Sequence, residues 1–254
     1  MPLLSIIIPA YNEEQRLGKT LAETFYYLAA QGYASEIIVV DDGSQDRTVE
    51  IAEGFATHTT EKVKLRVLKN PGNRGKGYAV KNGMQHASGE VNLFFDADLA
   101  TPLDQIPKVM QPILDNQYDV VFGSRALQEA VIQVEQSFLR QLRGRGGNLI
   151  IQLLTGMKIK DTQCGFKAFR RQASQTVFPL QQVEGFGFDP EILFIANKQG
   201  WRWKEMPVVW RHVEGSKVTM LSASLSVLAD VLKIRWNDFL GKYEARKLTE
   251  EVSL

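Results

Sequence analysis

Val91-Asn92-Leu93-Phe94-Phe95-Asp96-Ala97-Asp98 sets a largely apolar run directly against two carboxylates one residue apart. A strand buried in a sheet reads as a continuous run of Val, Leu and Phe, and a stable core has no use for acids at its end. In open α/β sheets the carboxyl ends of the strands are where ligands sit. Two acids placed there suit a hard divalent cation, and such a cation can carry phosphate oxygens. Taken alone, the pair reads more plainly as a solvated turn, so the surrounding chain has to decide.

Outward from this junction, apolar runs alternate with segments of helical period. Strands are predicted over 3–8, 36–40, 63–68, 91–95 and 120–122. Helices are predicted over 14–31, over 46–56 with Ser44 or Asp46 as N-cap, over 77–87, and over 101–116 with Pro102 in the first turn. Alternation of this kind predicts βαβ units and a mainly parallel sheet flanked by helices, an α/β fold. The pattern changes after about Arg125. Helices are expected over 137–155, 190–198 and 221–240, and strands over 166–169 and 203–210. No Pro-, Gly- or Ser-rich linker intervenes, so a single domain is expected over 1–217. Within it, the pattern separates 1–125 from the C-terminal helices of 126–217. An amphipathic helix follows over 218–242 and a charged tail over 243–254.

Bulk properties narrow the function. The chain has 254 residues, enough for a sizeable core. Its net charge of +1 argues against bulk attraction to nucleic acid. One cysteine, Cys164, excludes an internal disulfide framework and fits a reducing compartment. The histidines, His58, His86 and His212, lack zinc-type spacing, so a metal site here is built from oxygen. The N-terminal segment does not read as a signal peptide. The longest membrane-span candidate, 218–236, is broken by Asp230 and Lys233.

Three strand ends carry polar clusters: Pro9-Ala10-Tyr11-Asn12-Glu13, Asp41-Asp42-Gly43-Ser44 and Asp96-Ala97-Asp98. In a parallel sheet they share one edge. Four carboxylates there repel one another unless a cation or hydrogen-bond donors intervene, which suggests a nucleotide diphosphate compound with a divalent metal. Helix capping accounts for Ser44 and Asp46 but not for all four acids. With Ile6-Ile7-Ile8 and Val39-Val40 before the first two clusters, these motifs resemble family 2 glycosyltransferases of the GT-A fold, from the first strand to about Lys217. The likeness narrows at Gly123-Ser124-Arg125, Asp161-Thr162-Gln163-Cys164-Gly165-Phe166-Lys167 and Glu214-Gly215-Ser216-Lys217. These resemble the polyprenyl-phosphate subgroup, dolichyl-phosphate β-glucosyltransferases in particular.

The resemblance implies roles, with 1–125 as the nucleotide-sugar-binding part and 126–217 as the acceptor-binding part. Asp41 binds the base, Asp42 belongs to the same nucleotide-sugar site, and Pro9, Tyr11 and Glu13 line the nucleotide pocket. Asp96 contacts ribose or phosphate, and Asp98, with Asp96, holds Mg²⁺ or Mn²⁺. Ala100 stands where related mannosyl enzymes have a metal-holding Gln. Arg74 or Lys76, in a glycine-rich helix start that is not a P-loop, could reach the diphosphate; simple solvation of their charges is the competing reading. Arg211 matches an arginine that reaches the diphosphate on loop closure, and Lys217 ends that motif.

Eight basic residues and one acid lie between Ser137 and Arg171. This excess suggests a phosphate or a membrane surface. The resemblance places Arg125 and Arg140 on the acceptor phosphate, and Arg143 stands beside them in the same basic run; Gly144 replaces a serine of mannosyl relatives. A phosphomonoester, with a second pKa of about 6, needs no general base, whereas a hydroxyl acceptor does. The candidate base is Asp189, which reads more readily as the N-cap of a helix starting at Pro190. In the last helix Leu221, Leu225, Leu228, Leu232, Trp236 and Leu240 form one stripe, expected to pack on the domain, with an interfacial helix as the competing idea.

The expected enzyme is an inverting, metal-dependent transferase. It moves glucose from UDP-glucose to a polyprenyl phosphate, peripheral to the cytoplasmic face of a membrane. Its rivals are a GDP-mannose enzyme, a soluble transferase acting on a hydroxyl with Asp189 as base, and a nucleotide-sugar-binding regulator.

Overall fold

The computed structural model describes residues 1–132, 138–211 and 220–244, with the side chains of 138–146, 220–226 and 228 not described. Its first half is a strand–helix alternation: β1 (Leu4–Ala10), α1 (Leu17–Ala29), β2 (Ser35–Asp41), α2 (Thr48–Ala56), β3 (Val63–Lys69), α3 (Lys76–His86), β4 (Val91–Phe95), α4 (Ile106–Leu114) and β5 (Val120–Ser124). The second half contributes β6 (Val131–Ile132), α5 (Phe138–Thr155), β7 (Phe166–Arg170), α6 (Arg171–Leu180), α7 (Phe188–Lys198), β8 (Trp203–Pro207), β9 (Val209–Trp210) and α8 (Met220–Phe239).

Seven strands form one sheet in the order β3-β2-β1-β4-β7-β5-β8. Every pairing is parallel except those of β7, which runs antiparallel to both β4 and β5. The chain first builds outward from β1 through β2 to β3, then returns to place β4 on the other side of β1. That reversal opens a crevice beyond the carboxyl ends of β1 and β4.

Side chains alternate across the sheet with the strand period of two. Ile7, Ile38, Val40, Phe94 and Phe122 face a core shared with α3, α6 and α7. Ile6, Ile8, Ile37, Val39, Leu93 and Phe95 face the opposite core, closed by α1 and α4. Both faces are covered, which is why β1, β2 and β4 read as near-continuous apolar runs.

Several expectations change here. The predicted strand over 203–210 divides at Val208, so that β8 joins the main sheet and β9 pairs with β6. The helix expected from Thr101 opens as a single 3-10 turn, Leu103–Gln105, before α4. Helix α2 is preceded by Arg47 and carries no side-chain cap; Asp46 instead accepts from the Thr48 backbone N–H at 3.0 Å. Helix α6 and strand β6 had no counterpart in the sequence reading. Among the described side chains of α8 the buried apolar ones are Val227, Val231 and Ile234, whereas Leu232 and Trp236 are 59% and 60% exposed and Leu240, just beyond the helix, is 50% exposed. The described members of the expected packing stripe therefore face outward, and the side chains of Leu221, Leu225 and Leu228 lie outside the described residues. Just beyond α8 the buried Tyr243 hydroxyl donates to Glu191 at 2.6 Å, and Glu191 also accepts the Gln182 and Val183 N–H groups. This ties the end of α8 to α7. Among the described residues no helix is long and apolar enough to cross a membrane.

Helix α3 lies close on the sheet because of one glycine. A Cβ on Gly83 would stand 2.4 Å from Ile7 Cγ2 and 2.9 Å from Val40 Cγ2. Gly83→Ala should therefore destabilise the fold by about 1–3 kcal/mol through overpacking, despite the helix preference of Ala over Gly of about 1 kcal/mol. A lower urea midpoint with unchanged slope is the expected reading; an unchanged or raised midpoint would refute the close approach.

Candidate active site

The crevice beyond β1 and β4 holds a cleft of about 410 Å³. Pro9 at the end of β1, with Tyr11 and Glu13 after it, forms one wall, and Asp96 and Asp98 after β4 form another. Asp42 approaches from just past the end of β2, Asn73 and Gly75 from the loop before α3, Lys76 from the first turn of α3, and Phe186 from the loop before α7. The structure thus brings together seven residues singled out in the sequence: Pro9, Tyr11, Glu13, Asp42, Lys76, Asp96 and Asp98.

Local geometry fixes the two central acids. Leu99 N–H returns to Asp96 O at 3.2 Å, and Ala100 N–H donates to Asp98 Oδ1 at 3.0 Å, closing a tight turn. Leu99 adopts φ 51° within it, a left-handed conformation that costs a bulky residue on the order of 1–2 kcal/mol. From α1, Thr20 Oγ1 donates to Ala97 O at 2.6 Å. On the other side a Cβ on Gly165 would lie 2.3 Å from Asp96 Oδ2. Glycine there lets the segment entering β7 pass directly against the carboxylate. Burial raises the Asp98 pKa above the ordinary carboxylate value, and the nearby Asp96 charge adds to the effect.

Cations are interleaved with these acids. Lys76 Nζ lies 2.6 Å from Asp96 Oδ1. Burial works against its charge, but Asp96, Asp189 and Asp98 together hold its pKa above the ordinary lysine value. Arg16 makes a two-pronged contact with Glu13, with both bonds at 2.7 Å. Arg16, Asn73 and Phe186 line the cleft and were missed in the sequence. Only Arg16 left a signal there, standing three residues after Glu13 at the start of a helix.

Other expected residues are placed differently. Asp41 does not line the cleft; its carboxylate accepts from Gly43 N–H at 3.1 Å and Ser44 N–H at 3.2 Å. Asp42 reaches the cleft, but its oxygens take Asn70 Nδ2 at 2.7 Å, Gly75 N–H at 2.7 Å and Arg74 N–H at 3.1 Å. It thereby fixes the loop that presents Lys76. Arg74 turns away from the cleft to pair with Glu184 and to sit 4.2 Å from the centre of the Tyr78 ring. Arg125 is engaged by Asp161, with Nε at 2.7 Å and Nη2 at 2.9 Å. Arg211 is exposed and joins the Asp98 turn through its backbone, donating to Ala100 O at 2.8 Å. Arg140 and Arg143 sit on α5, their side chains outside the described residues, as is the whole of Lys217.

Asp189 is not an N-cap. Helix α7 starts at Phe188 with Gly187 before it, and no side chain caps it. Phe188 is fully buried, 5.8 Å from the Phe94 ring, and this packing draws the helix start ahead of Pro190. Asp189 is 4% exposed and accepts from Lys167 Nζ at 2.5 Å. Lys167 is fully buried and also donates to Cys164 O at 2.6 Å. It stands in register with Phe94 and Phe122 on its two neighbouring strands, so it projects to the α7 side with them. Burial raises the Asp189 pKa, with Lys167 and Lys76 opposing. The basic run of 137–171 is accordingly no single face: Lys167 is bound as described, Arg170 pairs with Asp119, and Arg171 donates to Gly89 O.

Residues 5–178 match the family model described as Glycosyl transferase family 2. The chain belongs to that family. It is 39% identical over 243 residues to dolichyl-phosphate beta-glucosyltransferase ALG5D of Trichomonas vaginalis, covering 91% of this chain and 72% of that one. It is 35% identical over 250 residues to dolichyl-phosphate beta-glucosyltransferase of Homo sapiens, covering 94% and 77%. Among solved structures, glucosyl-3-phosphoglycerate synthase from Mycobacterium tuberculosis, in complex with Mn²⁺, uridine diphosphate and glucosyl-3-phosphoglycerate, superposes with a TM-score of 0.69 at 20% identity. The match covers 92% of this chain and 80% of that one. The fold is GT-A, and the protein is a glycosyltransferase.

The raised Asp98 pKa has a consequence for stability. A carboxyl raised in the folded state costs nothing below its unfolded value, where both states are protonated, and erodes stability as pH rises through the folded value. Asp98→Asn keeps an acceptor for Ala100 N–H and removes that cost. Its thermal midpoint should exceed the wild type's at pH 7, and the gain should vanish near pH 4. Equal midpoints at pH 7 would show that the site does not strain this carboxylate.

Proposed function

We propose that this glycosyltransferase moves glucose from UDP-glucose to a dolichyl-type polyprenyl phosphate, with inversion and with Mg²⁺ or Mn²⁺, at the cytoplasmic face of a membrane. The observation that carries the reading is the 35–39% identity, over 91–96% of the chain, to relatives named dolichyl-phosphate beta-glucosyltransferase. The geometry agrees with it. Asp96 and Asp98 offer hard oxygen donors at a strand end, and burial makes Asp98 costly to ionise without a cation nearby. These two residues would hold the metal, which supplies Lewis-acid neutralisation of the departing diphosphate.

The remaining roles belong to the chain itself. Pro9, Tyr11 and Glu13 form the nucleotide wall, and Arg16 orients Glu13. Asp42 fixes the loop that aims Lys76, and the amino end of α3, at the diphosphate. Asp189 supports a phosphate acceptor over a hydroxyl: it is buried and held by Lys167, a poor position for taking a proton in the cleft. A phosphate oxygen, already ionised, needs no such base. Arg125 holds its place through Asp161 and would meet the acceptor phosphate with Arg140 and Arg143. On the outer surface Leu149, Ile150 and Leu153 of α5, Leu232, Trp236 and Phe239 of α8, and Leu240 just beyond it are exposed, and the two helices pack on each other. Exposed apolar residues beside Lys233, Arg235 and Lys242 suit a lipid surface.

With Mn²⁺ and a short polyprenyl phosphate, UDP should be released from UDP-glucose, while GDP-mannose should be at least about 100-fold poorer. Preference for GDP-mannose, or transfer only to hydroxyl acceptors, would overturn the reading. Replacing Trp236 and Phe239 by Ser should lower binding to anionic vesicles about tenfold or more, leaving turnover of the short, soluble acceptor intact. Unchanged vesicle binding would remove α8 from the membrane contact.

A further inference from the structure

Lys76 occupies a position that the metal reading does not by itself explain. Its ammonium lies on the carboxylate oxygen Asp96 Oδ1, 2.6 Å away. A divalent ion approaching Asp96 meets that charge first, and two cations sharing one carboxylate repel. The cleft also offers little to outbid it. Among the described residues no group of three or more His, Cys, Asp or Glu side chains forms a cation cage. A metal on Asp96 and Asp98 must draw its other ligands from water and from the donor's phosphate oxygens, the usual arrangement for Mg²⁺ beside a nucleotide.

We infer that Lys76 is an exchangeable counter-ion: it neutralises Asp96 until metal and nucleotide diphosphate arrive together, then releases the carboxylate and moves to the diphosphate. The inference rests on the nucleotide-sugar reading above and adds an order of binding to it. The anchor and the free end of Lys76 are suited to such a move. It is the first residue of α3, and its backbone is set by the preceding Gly75, whose N–H donates to Asp42 Oδ2 at 2.7 Å and whose carbonyl accepts from Ala79 N–H at 3.1 Å. Beyond that anchor extends a flexible four-carbon stem with a compact charge. Arg74, the neighbouring cation, is held by Glu184 and is no substitute. Metal alone must displace an ion pair and leaves the ammonium only Asp189, already bound by Lys167, and Asp98, shared with the metal. Metal with a diphosphate supplies the anion that takes the ammonium up. Lys76 therefore opposes metal binding in the absence of nucleotide and favours nucleotide once metal is present, a coupling of the two ligands through one side chain.

The test is Mn²⁺ binding, followed by calorimetry or by the spin-resonance signal of free Mn²⁺, with and without UDP. Lys76→Met should bind Mn²⁺ alone about 5–20-fold more tightly than wild type and bind UDP in saturating Mn²⁺ more weakly by a similar factor. Lys76→Arg, which keeps the charge, should bind Mn²⁺ alone as weakly as wild type. Lys76→Gln replaces the Met variant if that one melts early, and Lys19→Met, on an exposed face of α1, should match wild type in both titrations. Should Lys76→Met bind Mn²⁺ alone no better than wild type while wild type binds UDP with Mn²⁺, the exchange is refuted and the nucleotide-sugar reading stands. Should wild type bind no UDP at any Mn²⁺ concentration, both fall.

Discussion

Mutual repulsion between acids gathered at one sheet edge is the constraint around which this molecule is arranged. The reversal between β1 and β4 makes a crevice, and the loops that reach it carry carboxylates. Each acid is answered differently. Asp41 spends its oxygens on backbone N–H groups and Asp42 on backbone N–H groups and the Asn70 side-chain amide, and both become parts of the scaffold. Glu13 takes Arg16, and Asp189 takes Lys167. Asp96 and Asp98 remain facing the cleft, with a lysine laid against the first and burial weighing on the second. Charge satisfied inside the fold builds the walls, and charge turned toward the cleft is left for chemistry.

The parallel sheet and its acidic edge were readable because they depend on local pattern. Ile6-Ile7-Ile8 and Ile37-Ile38-Val39-Val40 are β-branched runs buried on both faces, and each stops at a polar cluster. Pairings of charge were not readable. Arg74 meets Glu184 across 110 positions, and Lys167 meets Asp189 from a different strand–helix layer. A sequence shows which residues are charged but not which ones face each other. That is why a run of basic residues looked like one surface when several of its members are spent inside the protein.

Two helix readings failed for a related reason. Pro190 is a sound signal for a first turn, yet the burial of Phe188 against Phe94 outweighs it and starts α7 earlier. In α8 two apolar stripes run side by side. Periodicity alone does not say which is inside; packing into the core beside α7 selects Val227, Val231 and Ile234 and leaves the bulkier Leu232, Trp236 and Leu240 outside.

Strand β7 has a further consequence, for the making of the protein. Among the described residues it is the one strand of the main sheet that runs antiparallel to its neighbours, and it slots between β4 and β5 although it follows both in the chain. While the polypeptide emerges from the ribosome, β3-β2-β1-β4 can assemble early, but the flank of Val91–Phe95 keeps its hydrogen-bonding groups unpaired until residue 170 has been synthesised. Such an uncovered edge of Val, Leu and Phe invites pairing with a neighbouring chain. Timely arrival of the Phe166–Arg170 segment therefore sets the interval during which the nascent protein is most exposed to aggregation and most in need of a chaperone.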